Sequence, residues 1–148
     1  MPRTIWSMAL PEASLRQNQI CTKPDGRVEL QNVKGKGGKI RNVAVIPGLE
    51  AAVTRYADAM SRERVFGKVP QNMDVHSYRR EYAMEMYKVQ QRHLRRTEDR
   101  RLEKLPPSER YHCRKDKAGV VYDKRIMRYV SQQLGHNRIS VIAGHYLD

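Results

Sequence analysis

The sequence is short of acidic residues, of phenylalanine and tryptophan, and of long apolar runs. It has 16 Asp and Glu against 29 Lys and Arg, which gives a formal net charge of +13 in 148 residues. No apolar run approaches the roughly 20 residues that span a bilayer, and no apolar signal-peptide core opens the chain. These absences argue against membrane and secreted proteins. The excess of positive charge predicts a polyanionic partner, with nucleic acid ahead of an anionic membrane.

Cysteine is also scarce, with only Cys21 and Cys113 in the chain. Two cysteines permit one disulfide, but nothing in the sequence marks an oxidising compartment, so we interpret both as reduced thiols. His112 and Cys113 are adjacent and His93 is the next histidine upstream, yet this spacing matches no common zinc pattern. We therefore expect no metal site.

The apolar pattern predicts one α+β domain that is mainly helical. Residues 27–33 and 40–46 alternate apolar and polar side chains on either side of a glycine- and lysine-rich turn, which is typical of an antiparallel β-hairpin. Helical spacing predicts a short helix within 4–20, a second over 49–66, a long one from Val75 through the nineties, and another over 122–134. A single domain with a small antiparallel sheet near 27–46 is the expected fold.

Two further stretches are distinctive. Residues 90 to 117 are highly charged and strongly basic, and we interpret them as a helical extension followed by an exposed basic loop. The helix over 122–134 should stop at Gly135, because glycine tolerates the left-handed turn that follows a helix. A short amphipathic segment with Ile139 and Ile142 on one side then leads to Tyr146.

Three segments resemble the catalytic domain of the tyrosine recombinases, also called phage-type integrases. Residues 33–45 (VKGKGGKIRNVAV) are similar to the β-hairpin of the family. Residues 75–83 (VHSYRREYA) are similar to its His-x-x-Arg box, and residues 134–147 (LGHNRISVIAGHYL) to its C-terminal motif. Each match is weak alone, but the three occur in the order of the family and on the expected kinds of element.

The resemblance implies a role for five residues around one DNA phosphate. Tyr146 would be the nucleophile, forming a 3′-phosphotyrosyl intermediate that conserves the bond energy. Arg79 would stabilise charge on the phosphoryl oxygens, since its planar fork suits phosphate geometry, and His136 would hydrogen-bond a phosphate oxygen. His76 would be a proton-transfer partner or phosphate donor. Lys36, in the hairpin turn, would protonate the departing 5′-oxygen.

The same resemblance implies the partners and setting of the protein. The expected function is site-specific DNA recombination or integration by a mobile-element or phage integrase, without a metal or nucleotide cofactor. Double-stranded DNA is the expected partner, with self-association on DNA, and the expected location is the bacterial cytoplasm at the nucleoid. Further DNA contacts are expected from other basic residues within the three segments: Lys34, Lys39, Arg41, Arg80 and Arg138.

The sequence departs from the family pattern in several places. The family has another arginine about seven residues before the segment that Leu15 begins here, yet Met8 stands at that position and positions 4–15 hold no arginine. His136 and Tyr146 are ten residues apart, one more than expected. We therefore expect residues 1–148 to be an N-terminally truncated integrase-like catalytic domain with a basic insertion at about 90–120.

Three functions remain open at this point. The first is an integrase whose activity is impaired by the loss of the first arginine. The second is a catalytically inactive basic DNA-binding remnant, in which Lys36 is an ordinary turn lysine and Tyr146 a core aromatic residue. The third is a generic basic RNA-binding or ribosome-associated protein. Only the first two require Arg79 and His136 to lie close together.

Overall fold

A computed structural model of the chain describes residues 17–34, 38–59, 75–98, 105–136, 138–145 and 147. Within these ranges the chain has an α+β fold with four helices, a three-stranded antiparallel sheet and a two-stranded hairpin. The strands are β1 (Ile20–Thr22), β2 (Val28–Lys34), β3 (Ile40–Ala44), β4 (Arg110–His112) and β5 (Val121–Asp123). The helices are α1 (Glu50–Ala59), α2 (Val75–Glu98), α3 (Lys124–Leu134) and α4 (Ile139–His145). The predicted fold class and its small antiparallel sheet are confirmed.

The predicted hairpin is the β2–β3 pair, and β2 also pairs with β1 to form the three-stranded sheet. The β2–β3 register shifts between Leu30 and Val33. At this bulge Asn32 adopts a φ of 54° and its backbone N–H donates to the Asn42 side chain over 3.0 Å. Because Leu30 and Val33 are three positions apart, the extra residue is what turns both side chains to the buried face.

The prediction of a helix within residues 4–20 is wrong for its last residues, 17–20. Residues 17–19 form a 3-10 turn and Ile20 begins β1, where it pairs with Leu30. The Gln19 side chain also donates to the Gln31 carbonyl over 3.1 Å. These contacts with a strand ten or more residues away outweigh the local helical spacing of the apolar residues. The rest of the prediction, at positions 4–16, lies outside the described residues.

The helices α1 and α2 agree with the predictions over the residues that the structure describes. α1 covers the first part of the predicted 49–66 helix, and α2 begins at Val75 and runs for 24 residues. Tyr82 and Met86, about one turn apart on α2, are each only 1% exposed. Positions 60–74 lie outside the described part of the chain.

The second half of the insertion is not one exposed basic loop as predicted: residues 113–120 form a mostly exposed loop, but a strand lies on each side of it. This segment contains the β4–β5 hairpin, in which Tyr111 pairs with Tyr122, and Gly119 adopts a φ of 95° in the loop between the strands. Tyr122 therefore belongs to a strand, and α3 begins at Lys124 rather than at 122. The Asp123 carboxylate caps the helix by accepting the backbone N–H of Arg125 over 2.9 Å. β4 and β5 have only three residues each and lie in a highly charged segment. The alternation of apolar and polar side chains is therefore too short to predict them from the sequence.

The sheet and the helices share one hydrophobic core. Met127, Val130 and Ile142 from the two C-terminal helices are fully buried against residues of the sheet and α2. Among the described helices, none combines the length and apolarity that crossing a membrane requires. The buried apolar side chains of the core are Val28, Leu30, Val33, Val43, Val45, Ile46, Val53, Tyr82, Ala83, Met86, Tyr87, Ile126, Met127, Val130, Leu134, Ile142, Ala143 and Leu147.

Candidate functional site

The C-terminal end of α3 fixes the position of His136. Gly135 takes the left-handed conformation expected there, with a φ of 77°, and its N–H donates to the Gln132 carbonyl over 3.1 Å. The His136 N–H donates to the Ser131 carbonyl over 2.9 Å, and the Ser131 hydroxyl donates to the His136 carbonyl over 2.8 Å. Because Ser131 is itself buried, these two bonds hold the half-buried His136 to the last turn of α3.

Arg79 reaches the same helix end from α2. Its guanidinium donates to the Leu134 carbonyl over 2.5 Å, although the two residues are 55 positions apart in the sequence. A guanidinium has several N–H donors, so this bond anchors the group without removing its charge. The cation predicted from the His-x-x-Arg box therefore lies at the carbonyl of a residue two positions before His136.

A second arginine meets this helix end from the sheet. The Nε atom of Arg41 in β3 donates to the Gln133 carbonyl over 2.9 Å. A Cβ atom added at Gly135 would lie 3.3 Å from the guanidinium carbon of Arg41, so the arginine packs directly on this glycine. Arg41 and Arg79 thus bind consecutive carbonyls at the negative end of the α3 dipole, where cations are favoured.

From the sequence, Arg41 is expected only as a contact to DNA, and its contact with α3 is not predicted. The missed signal is the alternation of β3. Arg41 and Val43 are two positions apart and so lie on the same face of the strand, and Val43 is buried. A half-buried arginine on the core side of a strand needs an acceptor, and the exposed carbonyls at a helix end supply it.

Two further hydrogen bonds join the elements that carry these arginines. The Gln133 side chain accepts the Ala44 N–H over 2.6 Å, which ties β3 to α3. The Tyr82 hydroxyl donates to the Ala44 carbonyl over 2.7 Å, which ties α2 to the same point of β3. Burial raises the pKa of Tyr82 well above its ordinary value, so the phenol stays a donor over the usual pH range. These bonds hold α2, β3 and α3 together, so the elements that carry the two guanidinium groups are fixed relative to each other.

Searches of family models, of curated proteins and of solved structures found no match to this chain.

The other predicted catalytic residues are described only in part. Lys36 and Tyr146 lie outside the described residues. His76 lies in the first turn of α2, three residues before Arg79, and its side chain is also outside the description. Three positions along a helix place two residues on the same side of it. The segments on both sides of Tyr146 are described: α4 ends at His145, and Leu147 is buried at 3% exposure.

The remaining predicted DNA contacts occupy different parts of the surface. Lys34 and Lys39 are exposed near the tip of the β2–β3 hairpin, where Lys34 pairs with Ile40. Arg80 is exposed on α2 next to Arg79, and Arg138 is exposed just before α4. Their contact with DNA stays a prediction.

An open pocket of about 450 Å³ lies beside Gln133, between the sheet and the helices α2 and α3. Its two cationic residues each have a carboxylate nearby. The Lys23 ammonium is 2.8 Å from a Glu29 oxygen, and the Arg27 guanidinium is 2.6 Å from an Asp25 oxygen. Because these charges are matched in pairs, the pocket is less suited to a phosphate than the end of α3. Across the described part of the chain, no three or more His, Cys, Asp or Glu side chains are grouped to hold a metal ion.

Proposed function

We propose that this chain is the DNA-cleaving and rejoining domain of a mobile-element integrase that works through a tyrosine nucleophile. The observation that carries the proposal is the hydrogen bond from Arg79 to the Leu134 carbonyl. It puts the arginine of one sequence motif beside the histidine turn of another, from a region of the sequence more than fifty residues away. The function of a generic basic protein does not require these two motifs to meet.

The proposed reaction is a transesterification at a DNA phosphodiester. The Tyr146 phenol passes its proton to His76 as its oxygen attacks phosphorus and forms a 3′-phosphotyrosine, while the bond to the 5′-oxygen breaks and Lys36 supplies the proton to that oxygen. Arg79 and His136 stabilise the charge on the phosphoryl oxygens during attack. A second 5′-hydroxyl then attacks the phosphotyrosine and rejoins the strands, and its proton returns to Lys36. Tyr146 is released and recovers its proton from His76. The number of phosphodiester bonds is unchanged, so neither hydrolysis nor a nucleotide is needed.

Arg41 supplies the second guanidinium in this proposal. The family pattern calls for an arginine before the hairpin, and positions 4–15 contain none. Arg41 lies on the carbonyl next to that bound by Arg79, so it brings a second fixed positive charge to the end of α3. Electrostatic stabilisation depends on where the charge is held, not on which element carries it. Because strand exchange requires two duplexes, the proposal includes self-association on double-stranded DNA.

The alternative is a DNA-binding protein without cleavage activity. The absence of an arginine at positions 4–15 favours it, since losing one preorganised donor costs on the order of a hundredfold or more in rate. The net charge of +13 would then serve DNA binding alone, with an affinity that falls steeply as salt rises.

The test is covalent capture of nicked duplexes with a randomised segment around the nick. Cleavage next to the nick releases a short 5′-hydroxyl strand that diffuses away, so the protein–DNA adduct accumulates and survives detergent. Mass spectrometry should locate the DNA on Tyr146. Tyr146→Phe should abolish the adduct, whereas Tyr111→Phe, which removes the hydroxyl of a half-buried tyrosine in β4, should form it at the wild-type level.

Binding of the duplexes without any adduct would favour the inactive alternative. In that case Met8→Arg separates two causes. Recovery of the adduct in this variant would mean that the protein lacks a single arginine, whereas continued inactivity would leave DNA binding as the function. An adduct that persists in Tyr146→Phe would overturn the proposed nucleophile.

A further inference from the structure

The basic insertion holds the segment that carries Tyr146. Lys117 lies in a 3-10 turn, Lys115–Lys117, between the strands of the β4–β5 hairpin. Its ammonium donates to the Ala143 carbonyl over 3.0 Å and also to the Leu147 carbonyl. One lysine therefore bonds the main chain on both sides of residue 146.

Tyr122 adds a third bond to the same segment. Its hydroxyl donates to the Leu147 carbonyl over 3.1 Å. The Tyr122 ring packs edge-to-face on Tyr87 of α2, with 5.4 Å between the ring centroids and an angle of 75° between the planes. The Tyr87 hydroxyl in turn accepts the Asp123 N–H over 2.9 Å, so β5 is fixed to the buried face of α2.

Leu147 gives the anchored segment a defined end. Its side chain is 3% exposed within the core, and its N–H donates to the Ile142 carbonyl over 3.0 Å. Ala143 is likewise buried. Only three residues lie between the carbonyls that Lys117 binds, so the main chain is held on both sides of position 146 within a short span. Hydrogen bonds from an ammonium group are stronger than those between neutral groups.

We infer that Lys117 and Tyr122 are positioning residues, which hold Tyr146 in place for attack on the DNA phosphate. This inference rests on the proposed function. It also assigns a role to the basic insertion: the β4–β5 hairpin between α2 and α3 fixes the end of α4 and the residues that follow it. Transesterification is sensitive to this placement, since a displacement of about 1 Å at the reacting atoms costs on the order of a hundredfold in rate.

Three variants test the inference. Lys117→Met removes the ammonium and keeps an unbranched apolar side chain, and Tyr122→Phe removes the hydroxyl and keeps the ring on Tyr87. Lys115→Met is the matched control, because it removes one exposed lysine from the same turn. Two quantities are measured: hydrogen exchange of the amides at 139–147, and the rate of adduct formation as the concentration of nicked duplex is raised to saturation.

Lys117→Met should speed exchange at 139–147 about tenfold, the effect of losing a charge-assisted hydrogen bond. It should also lower the adduct rate at saturating DNA at least tenfold. Tyr122→Phe should change both quantities in the same direction by smaller factors. Lys115→Met should leave exchange at 139–147 unchanged. It should at most raise the DNA concentration at half-saturation.

The results that would contradict the positioning role differ from the result that would contradict the proposed function. Unchanged exchange in Lys117→Met, or faster exchange with an unchanged rate at saturating DNA, would overturn the positioning role. A wild-type protein that forms no adduct would instead overturn the proposed function and, with it, the catalytic part of this inference. The exchange measurement would still decide in that case whether Lys117 anchors the segment.

Discussion

Arg79 and Leu134 are joined by a 2.5 Å hydrogen bond from the guanidinium to the main-chain carbonyl. The bond connects the long helix α2 to the end of α3, immediately before the turn that carries His136. An arginine in this position serves two purposes. It satisfies a carbonyl that has no partner within its own helix, and it holds a positive charge at the helix end that precedes the His136 turn.

Arg79→Lys should lower the rate of adduct formation about a hundredfold while changing DNA affinity little. A lysine keeps the charge but loses the planar fork that can bind a carbonyl and a phosphate together. The rate at saturating nicked duplex and the dissociation constant measure the two effects separately. Arg92→Lys, an exposed site on the same helix, is the matched control and should retain the wild-type rate. Equal rates for the two variants would rule out a phosphate-binding role for Arg79.

Gly135→Ala should lower the free energy of unfolding by about 1–2 kcal/mol. The left-handed conformation at Gly135 disfavours a side chain by that amount, and the added Cβ would press on the Arg41 guanidinium at 3.3 Å. Urea denaturation measures the change. Gly144→Ala is the matched control: this glycine lies in α4 with nothing within 4 Å of an added Cβ, so alanine should stabilise the helix by about 0.5–1 kcal/mol. Equal effects at the two sites would contradict the observed turn.

Alkaline pH should destabilise the fold through Tyr87. Burial raises the pKa of Tyr87 to about 12, whereas an unfolded tyrosine ionises near 10. The folded state therefore favours the neutral phenol. The contribution of Tyr87 to the free energy of unfolding is complete below about pH 10 and is lost as the pH rises through 12. The free energy of unfolding should fall less steeply over this window in Tyr87→Phe than in the wild type. Parallel curves would show that Tyr87 ionises equally easily in both states.

Lys34→Gln should weaken DNA binding and reduce its dependence on salt. If Lys34 at the hairpin contacts one phosphate, the slope of log affinity against log salt should lose about one unit of magnitude. Titrations of a fluorescent duplex at several salt concentrations give the slope. Lys88→Gln is the matched control, because this exposed lysine faces Glu85 at 3.6 Å and should leave the slope unchanged. A slope that is the same in all three proteins would exclude Lys34 from the interface.

The sequence predicted best the elements with strong local patterns. The alternation of 27–33 and 40–46 identified β2 and β3, and the helical spacing of apolar residues from Val75 onward identified α2. It failed where distant contacts decide the structure. Ile20 belongs to a strand because it pairs with Leu30, and the short strands β4 and β5 are stabilised by pairing with each other and by the contact of Tyr122 with Tyr87.

For the candidate site, the sequence determined which chemical groups are available. Histidine, arginine and tyrosine are present in segments that resemble the motifs of a phosphate-cleaving family, and Gly135 marks the turn because few other residues tolerate a positive φ. The tertiary structure alone decided what these groups meet: Arg41 and Arg79 on consecutive carbonyls of α3, and Lys117 on the segment that carries Tyr146. Local patterns reflect backbone preferences and burial over a few residues, whereas these contacts join residues 26 to 92 positions apart and exist only once the core has brought the elements together.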